Sequence, residues 1–251
     1  MKKSFASIVI TGASSGIGEA LAVDYAAPGV ALALNGRDAA RLEAVAAACR
    51  GKGATVEASP IDVTDRASLA AWLTAFDDAH PVDLAIANAG VSIDNGISSL
   101  DDFSRVRQTM AVNVDGVFNT LEPLVGRMMA RRAGQIAIVS SLASFIGLPH
   151  AASYNASKAA VRVWGESIRY VLKKSGIGVS VICPGFVVSR LTGDEVSFPR
   201  PFLMSSAQAS AIIRRGLERN RPRIAFPIGT KAAVWLGCTL PGRWTARLLG
   251  A

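Results

Sequence analysis

Cysteine and histidine are scarce in this sequence. Its 251 residues include three cysteines and two histidines. Cys49, Cys183 and Cys238 are far apart and odd in number, which fits neither a disulfide framework nor a clustered zinc site. His80 and His150 have no second His, Cys or acidic residue at a metal-ligand spacing. The sequence therefore predicts a protein without a resident metal, made in a reducing compartment, and we expect a cytoplasmic location.

Long hydrophobic runs are also missing, although 50% of the residues are hydrophobic. No stretch reaches the roughly 18 uncharged apolar residues that a membrane-spanning helix requires. The apolar run after Lys3 stops at Thr11-Gly12 before any small-residue cleavage site, so we interpret it as a first strand and not as a secretory signal. We expect one soluble domain over residues 1–251, since this length and composition suffice for a single large core.

Acidic residues are nearly absent from the last fifth of the chain. Residues 200–251 contain nine Lys or Arg and one Asp or Glu, whereas residues 1–199 contain 18 of each kind. A basic segment can contact nucleic acid, an anionic membrane surface or an acidic substrate handle, but it is more often a solvated helix face. No aromatic residues are interleaved with basic ones as on a nucleic-acid platform, so we expect no nucleic-acid partner.

Short apolar or β-branched runs alternate with Ala-rich amphipathic stretches, which is typical of a parallel sheet covered by helices on both faces. Strands are predicted at Ser4–Ile10, Val30–Asn35, Thr55–Pro60, Asp83–Ala87, Gly134–Ser140, Gly178–Cys183 and Arg223–Phe226. Helices are predicted near Ile17–Ala27, Ala39–Gly51, Asp65–Ala79, Leu100–Arg131, Ala152–Lys174 and Ser206–Asn220. The predicted fold is α/β: a single-domain, doubly wound (Rossmann-type) sheet of seven parallel strands, which binds ligands at the C-terminal ends of its strands.

A glycine-rich turn joins the first predicted strand to the first predicted helix. Such glycines permit a tight turn and a close approach of the backbone to a pyrophosphate at the helix N-terminus. The spacing differs from G-x-G-x-x-G, and the turn alone is compatible with a plain strand-to-helix connection. The turn nevertheless favours a dinucleotide, and its candidate contacts are Gly12, Ser14, Ser15, Gly16, Ile17 and Gly18.

Tyr154 and Lys158 are four residues apart on a predicted helix, so their side chains leave from the same face. A tyrosine hydroxyl has a pKa near 10, and a neighbouring ammonium favours the phenolate. We therefore expect Lys158 to lower the pKa of Tyr154 by ~1–3 units and Tyr154 to exchange a proton with the substrate. A lone pair at this spacing is more often an ordinary surface pair, and it is the combination with the glycine turn that favours catalysis.

With these motifs the sequence resembles the short-chain dehydrogenase/reductase family, whose motifs are TGxxxGxG and YxxxK. The resemblance extends over residues 1–190 and implies hydride transfer between a nicotinamide cofactor and a carbonyl or alcohol. It implies that Ser141, thirteen residues before Tyr154, hydrogen-bonds the substrate oxygen. It also implies that Asn113 holds a water in a proton relay behind Lys158. The predicted catalytic residues are Asn113, Ser141, Tyr154 and Lys158.

The resemblance also implies a set of cofactor contacts that follow the other strands. They are Asp62, Val63, Asn88, Ala89, Gly90, Tyr154, Lys158, Pro184, Gly185, Val187 and Ser189. Two positions in this region depart from the family pattern. Ala87 replaces the usual Asn before the Asn-Ala-Gly turn, which puts one sheet-bracing hydrogen bond in doubt, and Ser189 stands where threonine is commoner.

The choice between NAD and NADP depends on the end of the second strand, where NAD-binding proteins of this kind place a carboxylate for the ribose 2′-hydroxyl. Asn35-Gly36-Arg37 stands there instead. Arg37 could pair with a 2′-phosphate, and opposite charges ~4 Å apart gain about 4 kcal/mol at an effective dielectric of 20, before desolvation. Asp38 is better explained as a helix N-cap. We predict a preference for NADP(H) over NAD(H).

Three loops at the same sheet edge are predicted to contact the substrate: Val91–Ser98, Ser144–His150 and Gly185–Ser205. The last is long and irregular, which is typical of a lid. Their apolar side chains indicate a lipophilic or acyl substrate, although ordinary loop packing explains them equally well.

Residues 228–251 form an apolar and basic C-terminal extension. We expect this extension to cover the substrate cleft or to form a subunit interface, in preference to a peripheral membrane contact. The resemblance implies a homodimer or homotetramer built on the helices near Leu100–Arg131 and Ala152–Lys174.

Two other functions share parts of this pattern. An epimerase or dehydratase would have a longer chain and a different glycine spacing. A non-catalytic NADP-binding sensor or scaffold of the same fold would most often have lost the Tyr or the Lys. Because both residues are present, the enzyme is the preferred interpretation.

Overall fold

The computed structural model describes residues 3–92, 103–148, 151–189 and 202–239. Its strands are β1 (Ser7–Thr11), β2 (Ala31–Asn35), β3 (Thr55–Ser59), β4 (Leu84–Ala87), β5 (Gln135–Val139), β6 (Gly178–Pro184) and β7 (Arg223–Phe226). They form one parallel sheet in the order β3-β2-β1-β4-β5-β6-β7. This confirms the predicted doubly wound α/β fold, although several strand ends differ, as at Ser7 where Ser4 was expected.

Eight helices occur in the described ranges. They are α1 (Gly16–Tyr25), α2 (Ala39–Gly51), α3 (Arg66–Ala79), α4 (Phe103–Met110), α5 (Gly116–Arg131), α6 (Ala152–Lys173), α7 (Ser206–Glu218) and α8 (Ile228–Thr239). Helices α1, α2 and α7 pack on one face of the sheet, and α3, α5 and α6 pack on the other. None of these helices is long and apolar enough to cross a membrane.

The five inner strands are buried on both faces because they lie between two hydrophobic cores, whereas the edge strands β3 and β7 are partly exposed. In β1, Ile8 and Ile10 join the core beneath α1, α2 and α7, whereas Val9 joins the core beneath α3, α5 and α6. Successive side chains of a strand point to opposite faces, so one short apolar run serves both cores. This double burial produces the continuous apolar strands seen in the sequence.

The helix predicted over Leu100–Arg131 is not one regular helix. Residues 100–102 lie outside the described part, and a π-helical turn, Ala111–Asp115, separates α4 from α5. Asn113 lies in this turn and is fully buried. Asn is a weak helix former, and π turns are frequent at functional sites. The π turn therefore lies at Asn113, one of the predicted catalytic residues.

The sheet order reverses between β1 and β4, which are neighbours although the chain passes through β2 and β3 between them. Connections on the two sides of this point diverge and leave a crevice at the C-terminal ends of the strands. Helix α8 follows β7, and it packs against β7 and against a 3₁₀ turn, Leu142–Phe145, that follows β5. Of the C-terminal extension predicted over residues 228–251, residues 240–251 lie outside the described residues.

Candidate active site

The glycine turn between β1 and α1 is folded so tightly that glycine is required. Gly12 and Gly16 have φ angles of 67° and 60°, in the left-handed region that glycine adopts freely. A Cβ on Gly18 would lie 2.3 Å from the carbonyl oxygen of Gly12. Ser15 stands at the N-cap of α1 but makes no side-chain capping bond. The first amides of α1 can therefore bind an anion such as a pyrophosphate, which fits a dinucleotide.

The turn after β4 is bonded to this glycine turn. The Thr11 hydroxyl accepts hydrogen bonds from the amides of Asn88 (3.1 Å) and Ala89 (3.3 Å). The Asn88 side chain donates to the carbonyl oxygens of Thr11 (2.9 Å) and Gly12 (3.1 Å). Asn88 thus braces the two turns despite the substitution at Ala87. Thr11 was not among the predicted contacts, although it is the first residue of the glycine motif.

Arg37 follows β2, where the sequence predicts the choice between NAD and NADP to be made. Its guanidinium Nη1 is 3.8 Å from Asp62 Oδ2, and both side chains are substantially exposed. Asp38 caps α2: its side chain accepts a hydrogen bond from the Arg41 amide at 3.0 Å and forms an ion pair with the Arg41 guanidinium at 2.7 Å. The prediction of an N-cap at Asp38 is confirmed. The Asp38 carboxylate is thereby engaged at the helix start, whereas Arg37 remains accessible to a ligand.

Asp62 and Val63 follow β3 and are held by different partners. The Asp62 carboxylate accepts hydrogen bonds from the amide and the hydroxyl of Thr64, at 2.9 and 2.8 Å. The Val63 carbonyl accepts a bond from the Asn119 side chain at 2.9 Å. The pair is therefore fixed between β3 and α5.

Ser141 and Tyr154 come together at the ends of β5 and α6. Their side chains are hydrogen-bonded to each other. Ser141 Oγ also accepts a bond from the Ala143 amide at 3.1 Å, which caps the Leu142–Phe145 turn. Two hydroxyls in mutual contact can both donate to one substrate oxygen.

Lys158 is buried beside Tyr154, with only 4% of the residue exposed. Its Nζ lies 5.9 Å from the centroid of the Tyr154 ring and donates to the Val139 carbonyl at 2.9 Å. The Ser140 hydroxyl donates to the Lys158 carbonyl at 2.7 Å, which ties α6 to the end of β5. Ser140 and Val139 are site residues that the sequence did not indicate, because they act through a hydroxyl and a backbone carbonyl that belong to no motif.

Burial sets the protonation of this pair. It raises the pKa of Tyr154, and the hydrogen bond with Ser141 opposes that rise. It lowers the pKa of Lys158 to about 8. The prediction that Lys158 lowers the pKa of Tyr154 was wrong for the chain alone, because loss of hydration disfavours the phenolate more than its surroundings favour it. Tyr154 is therefore a phenol at neutral pH and is able to donate a proton.

Asn113 connects the π turn to the site. Its Oδ1 accepts from the Val91 amide at 2.8 Å, and its Nδ2 donates to the Val91 carbonyl and to the Ser157 hydroxyl, both at 2.9 Å. A Cβ placed on Gly90 would be 3.2 Å from Asn113 Oδ1 and 3.1 Å from Lys158 Nζ, so both groups flank this glycine. Both amide hydrogens of Asn113 are used within the protein, and the water relay stays a prediction.

The segment after β6 returns to the glycine turn. The Val188 amide donates to the Met204 carbonyl at 2.9 Å, and the Met204 amide donates to the Phe186 carbonyl at 3.0 Å. Ser189 Cβ lies 3.0 Å from the position that a Cβ on Gly16 would occupy. Val187 pairs with Met204 in a β-bridge, and the Gly185 amide donates to the Phe226 carbonyl at 2.7 Å. The predicted cofactor contacts after β6 therefore border the glycine turn.

The turn after Ser141 is held by a cluster that sequence reasoning missed. The guanidinium groups of Arg162 and Arg223 lie 4.2 and 5.1 Å from the centroid of the Phe145 ring. Glu166 forms ion pairs with both arginines. These residues come from α6 and β7 and share no motif, so only the folded chain reveals the cluster. It fixes the turn that begins at Ser141.

The predicted substrate loops are described only in part. Residues 93–98 of the first, residues 149–150 of the second, including His150, and residues 190–201 of the third lie outside the described residues. The described apolar positions of these loops include Phe145, Ile146, Leu148, Phe186, Phe202 and Met204.

Comparison with known proteins agrees with this geometry. A family model described as short chain dehydrogenase matches residues 6–199, which is most of the chain. The chain belongs to the short-chain dehydrogenase family. The match begins just before β1 and includes the glycine turn, Ser141, Tyr154 and Lys158. The protein is therefore an oxidoreductase of this family.

Individual relatives of this short-chain dehydrogenase cover most of its length. An uncharacterized oxidoreductase of Myxococcus xanthus is 38% identical over 225 residues, which span 89% of this chain and 88% of the relative. A Sphingobium yanoikuyae short-chain dehydrogenase in complex with NADPH is 25% identical with a TM-score of 0.81, and the match covers 96% of this chain and 92% of the other. A Burkholderia phymatum family member in complex with NAD is 26% identical with a TM-score of 0.83, and the match covers 94% of each chain. Structural neighbours thus include proteins in complex with either dinucleotide.

Proposed function

We propose that this short-chain dehydrogenase is an NADP(H)-dependent oxidoreductase that interconverts a carbonyl and an alcohol on a lipophilic or acyl small molecule. Tyr154 is its general acid and base. The observation that carries the proposal is the hydrogen bond between Ser141 and Tyr154, with Lys158 Nζ 5.9 Å from the tyrosine ring. The site is completed by the glycine turn, which is bonded to the Asn88–Gly90 turn beside Lys158.

In the reductive direction, the substrate oxygen accepts hydrogen bonds from Ser141 and Tyr154. Because burial raises its pKa, Tyr154 is protonated at neutral pH and can transfer its proton to the developing alkoxide. The Lys158 ammonium then stabilises the phenolate that remains. A bound nicotinamide cofactor supplies the hydride. General acid catalysis of this kind contributes about 10²–10⁴-fold to the rate.

The cofactor would lie across the crevice between β1 and β4. The amides at the start of α1 would hold the pyrophosphate, Asp62 and Val63 would border the adenine, and Val187 and Ser189 would border the nicotinamide. Arg37 would pair with the 2′-phosphate of NADP(H). Its exposure supports this role, as does the engagement of the Asp38 carboxylate at the start of α2.

We expect Arg37→Ala to lower kcat/KM for NADPH by tenfold or more while leaving kcat/KM for NADH nearly unchanged. A tenfold preference corresponds to about 1.4 kcal/mol, less than the attraction between a guanidinium and a phosphate at contact. The measurement is steady-state kinetics with both cofactors and one carbonyl substrate. Arg50→Ala, at the far end of α2, is the control. An unchanged ratio of the two kcat/KM values in Arg37→Ala would contradict the assignment.

The proposed substrate class is supported by the apolar loop positions around the site. Phe145 and Ile146 follow Ser141, and Phe186 and Met204 pair across the base of the third loop. Apolar residues in the loops at this edge of the sheet favour an apolar substrate with a few fixed polar contacts at the reacting oxygen.

A panel of ketones, aldehydes and acyl thioesters tests the function directly, with NADPH oxidation as the readout. We expect turnover of carbonyl compounds, with kcat/KM increasing as the apolar part of the substrate lengthens. Polar sugars of similar size are the control. The absence of turnover with every compound and both cofactors would overturn the proposed activity, and a preference for sugars would overturn the substrate class.

We also propose that the protein is a homodimer or homotetramer built on α5 and α6. Phe118 of α5 and Trp164 of α6 form an edge-to-face ring contact at 4.9 Å, which joins these helices. Beside it, α6 exposes Val163, Tyr170 and Val171. An exposed apolar face of this kind is typical of a subunit interface.

A further inference from the structure

Helix α8 uses one of its faces to cover the turn that follows Ser141. The Cys238 thiol donates to the Phe145 carbonyl at 3.0 Å, and a Cβ on Gly237 would lie 3.1 Å from Ile146 Cδ1. Val234 packs with Phe145 and Leu142 in the same small cluster. Contact with this turn explains why the inner side of α8 is apolar, but it does not explain the apolar residues on the other side of the helix.

The outer face of α8 is also apolar. Ile228, Trp235 and Leu236 are 84%, 70% and 57% exposed. They are seven and eight residues apart, so they lie along one side of the helix. Lys231 is the only charged residue of α8. A helix that only covered the turn would present polar residues outwards. This outer stripe therefore indicates that the exposed side of α8 contacts another apolar partner.

A cationic groove lies beside this stripe. Its volume is about 550 Å³. The described residues that line it include Lys231 and four arginines but no acidic residue: Arg215, Arg219, Arg221 and Arg223. Glu166 pairs with Arg223. The side chains of Arg219, Arg221 and Lys231 have no hydrogen bond or ion pair within the described ranges. The sequence has no Asp or Glu after Glu218. The potential around α8 is therefore positive, although Glu166 offsets part of it at Arg223.

We propose that the outer stripe of α8 and the cationic groove form a docking surface for an anionic lipid bilayer. Ile228, Trp235 and Leu236 enter the boundary between headgroups and acyl chains, and the guanidinium groups contact lipid phosphates. A bilayer offers an apolar layer and an anionic layer side by side, which matches the two adjacent parts of this surface.

Other occupants fit the surface less well. A second copy related by a twofold axis would bring the same cations towards each other, which costs free energy because like charges repel. Nucleic acid or an acidic protein would match the cations but would leave Trp235 and Leu236 in water. The docking itself does not depend on the proposed function.

Vesicle co-sedimentation of the full chain tests the proposal. We expect the full chain to sediment with vesicles of phosphatidylcholine mixed with phosphatidylglycerol, and to sediment at least tenfold less with phosphatidylcholine alone. Added salt weakens the binding by screening. Trp235→Ala lowers the partition coefficient about tenfold. The combined Arg215→Gln, Arg219→Gln and Arg221→Gln variant lowers it about a hundredfold, since each basic residue near an anionic surface contributes about 1 kcal/mol.

Two matched control variants distinguish binding through this surface from nonspecific adsorption to vesicles. Phe103→Ala removes an aromatic residue of similar exposure, 60%, elsewhere on the protein. The combined Arg50→Gln, Lys52→Gln and Arg66→Gln variant removes the same charge from the C-terminal end of α2 and the start of α3. Both controls should bind vesicles as the unsubstituted chain does. Equal sedimentation with both vesicle types would overturn the proposal, as would equal losses in test and control variants.

Light scattering without lipid distinguishes a subunit interface. A lower mass for Trp235→Ala, together with unchanged vesicle binding, would assign the stripe to contact between copies and overturn the proposal. An unchanged mass for Trp235→Ala, together with the expected tenfold loss of vesicle binding, supports docking to the bilayer. The arginine variant leaves α8 intact, so it tests the proposal even if Trp235→Ala unfolds.

Discussion

Tyr154→Phe is expected to lose about 10²–10⁴-fold in kcat for carbonyl reduction while binding NADPH as tightly as the unsubstituted chain. The substitution removes only the hydroxyl, which is hydrogen-bonded to Ser141 and is the proposed proton donor. The ring that faces Lys158 remains. Steady-state kinetics measures the loss, and titration of NADPH fluorescence measures the affinity.

Tyr170→Phe is the matched control for this experiment. It makes the same change on the same helix, at a side chain that is 78% exposed. We expect it to leave both readouts unchanged. Full turnover by Tyr154→Phe would show that another group supplies the proton, and a parallel loss of NADPH affinity would assign Tyr154 to binding alone.

Lys158→Met is expected to lose about a hundredfold or more in kcat, yet to unfold at the same Tm or a higher one at pH 7. The catalytic loss follows because the phenolate left by proton transfer no longer has a neighbouring cation. The stability result follows from burial. The pKa of Lys158 is about 8 in the folded chain, below its ordinary value of 10.5, so the folded state binds this proton less tightly than the unfolded state.

Because the folded state binds the Lys158 proton less tightly than the unfolded state, the destabilisation caused by Lys158 depends on pH. The destabilisation is complete well below pH 8 and decreases as the pH rises through 10.5, above which neither state holds the proton. Methionine removes it at every pH, although the hydrogen bond to the Val139 carbonyl is lost. In thermal unfolding, the Tm of Lys158→Met relative to the unsubstituted chain should therefore be raised less at pH 9 than at pH 7. Lys173→Met, exposed on the same helix, should behave as the unsubstituted chain. A Tm several degrees lower in Lys158→Met at pH 7 would contradict the burial argument.

The sheet was predictable because its signals are local. Short apolar runs such as Ala31–Asn35 are buried on both faces, and turn residues separate them from helices with caps such as Asp38. The strand ends were less predictable: the first strand begins at Ser7 where Ser4 was expected, and the fourth begins at Leu84 where Asp83 was expected. The family motifs similarly located Ser141 and Tyr154, which the structure brings into contact.

The electrostatics of the site were not predictable in the same way. The pKa values of Tyr154 and Lys158 depend on how completely α6, β5 and the Gly90 turn exclude water, and no spacing in the sequence encodes that burial. The Phe145 cluster depends on arginines from α6 and β7 that are distant in sequence. The π turn at Asn113 required its bonds to Val91 and Ser157, which only the folded chain shows.

A crystal structure with NADP(H) and a carbonyl ligand tests the central claim most directly. The account predicts that the pyrophosphate lies at the start of α1 and that the Ser141 and Tyr154 hydroxyls both lie within hydrogen-bond distance of the carbonyl oxygen. The reacting carbon of the nicotinamide should lie ~3–3.5 Å from the carbonyl carbon. A dinucleotide bound away from the glycine turn, or a Tyr154 hydroxyl directed away from the carbonyl, would contradict it.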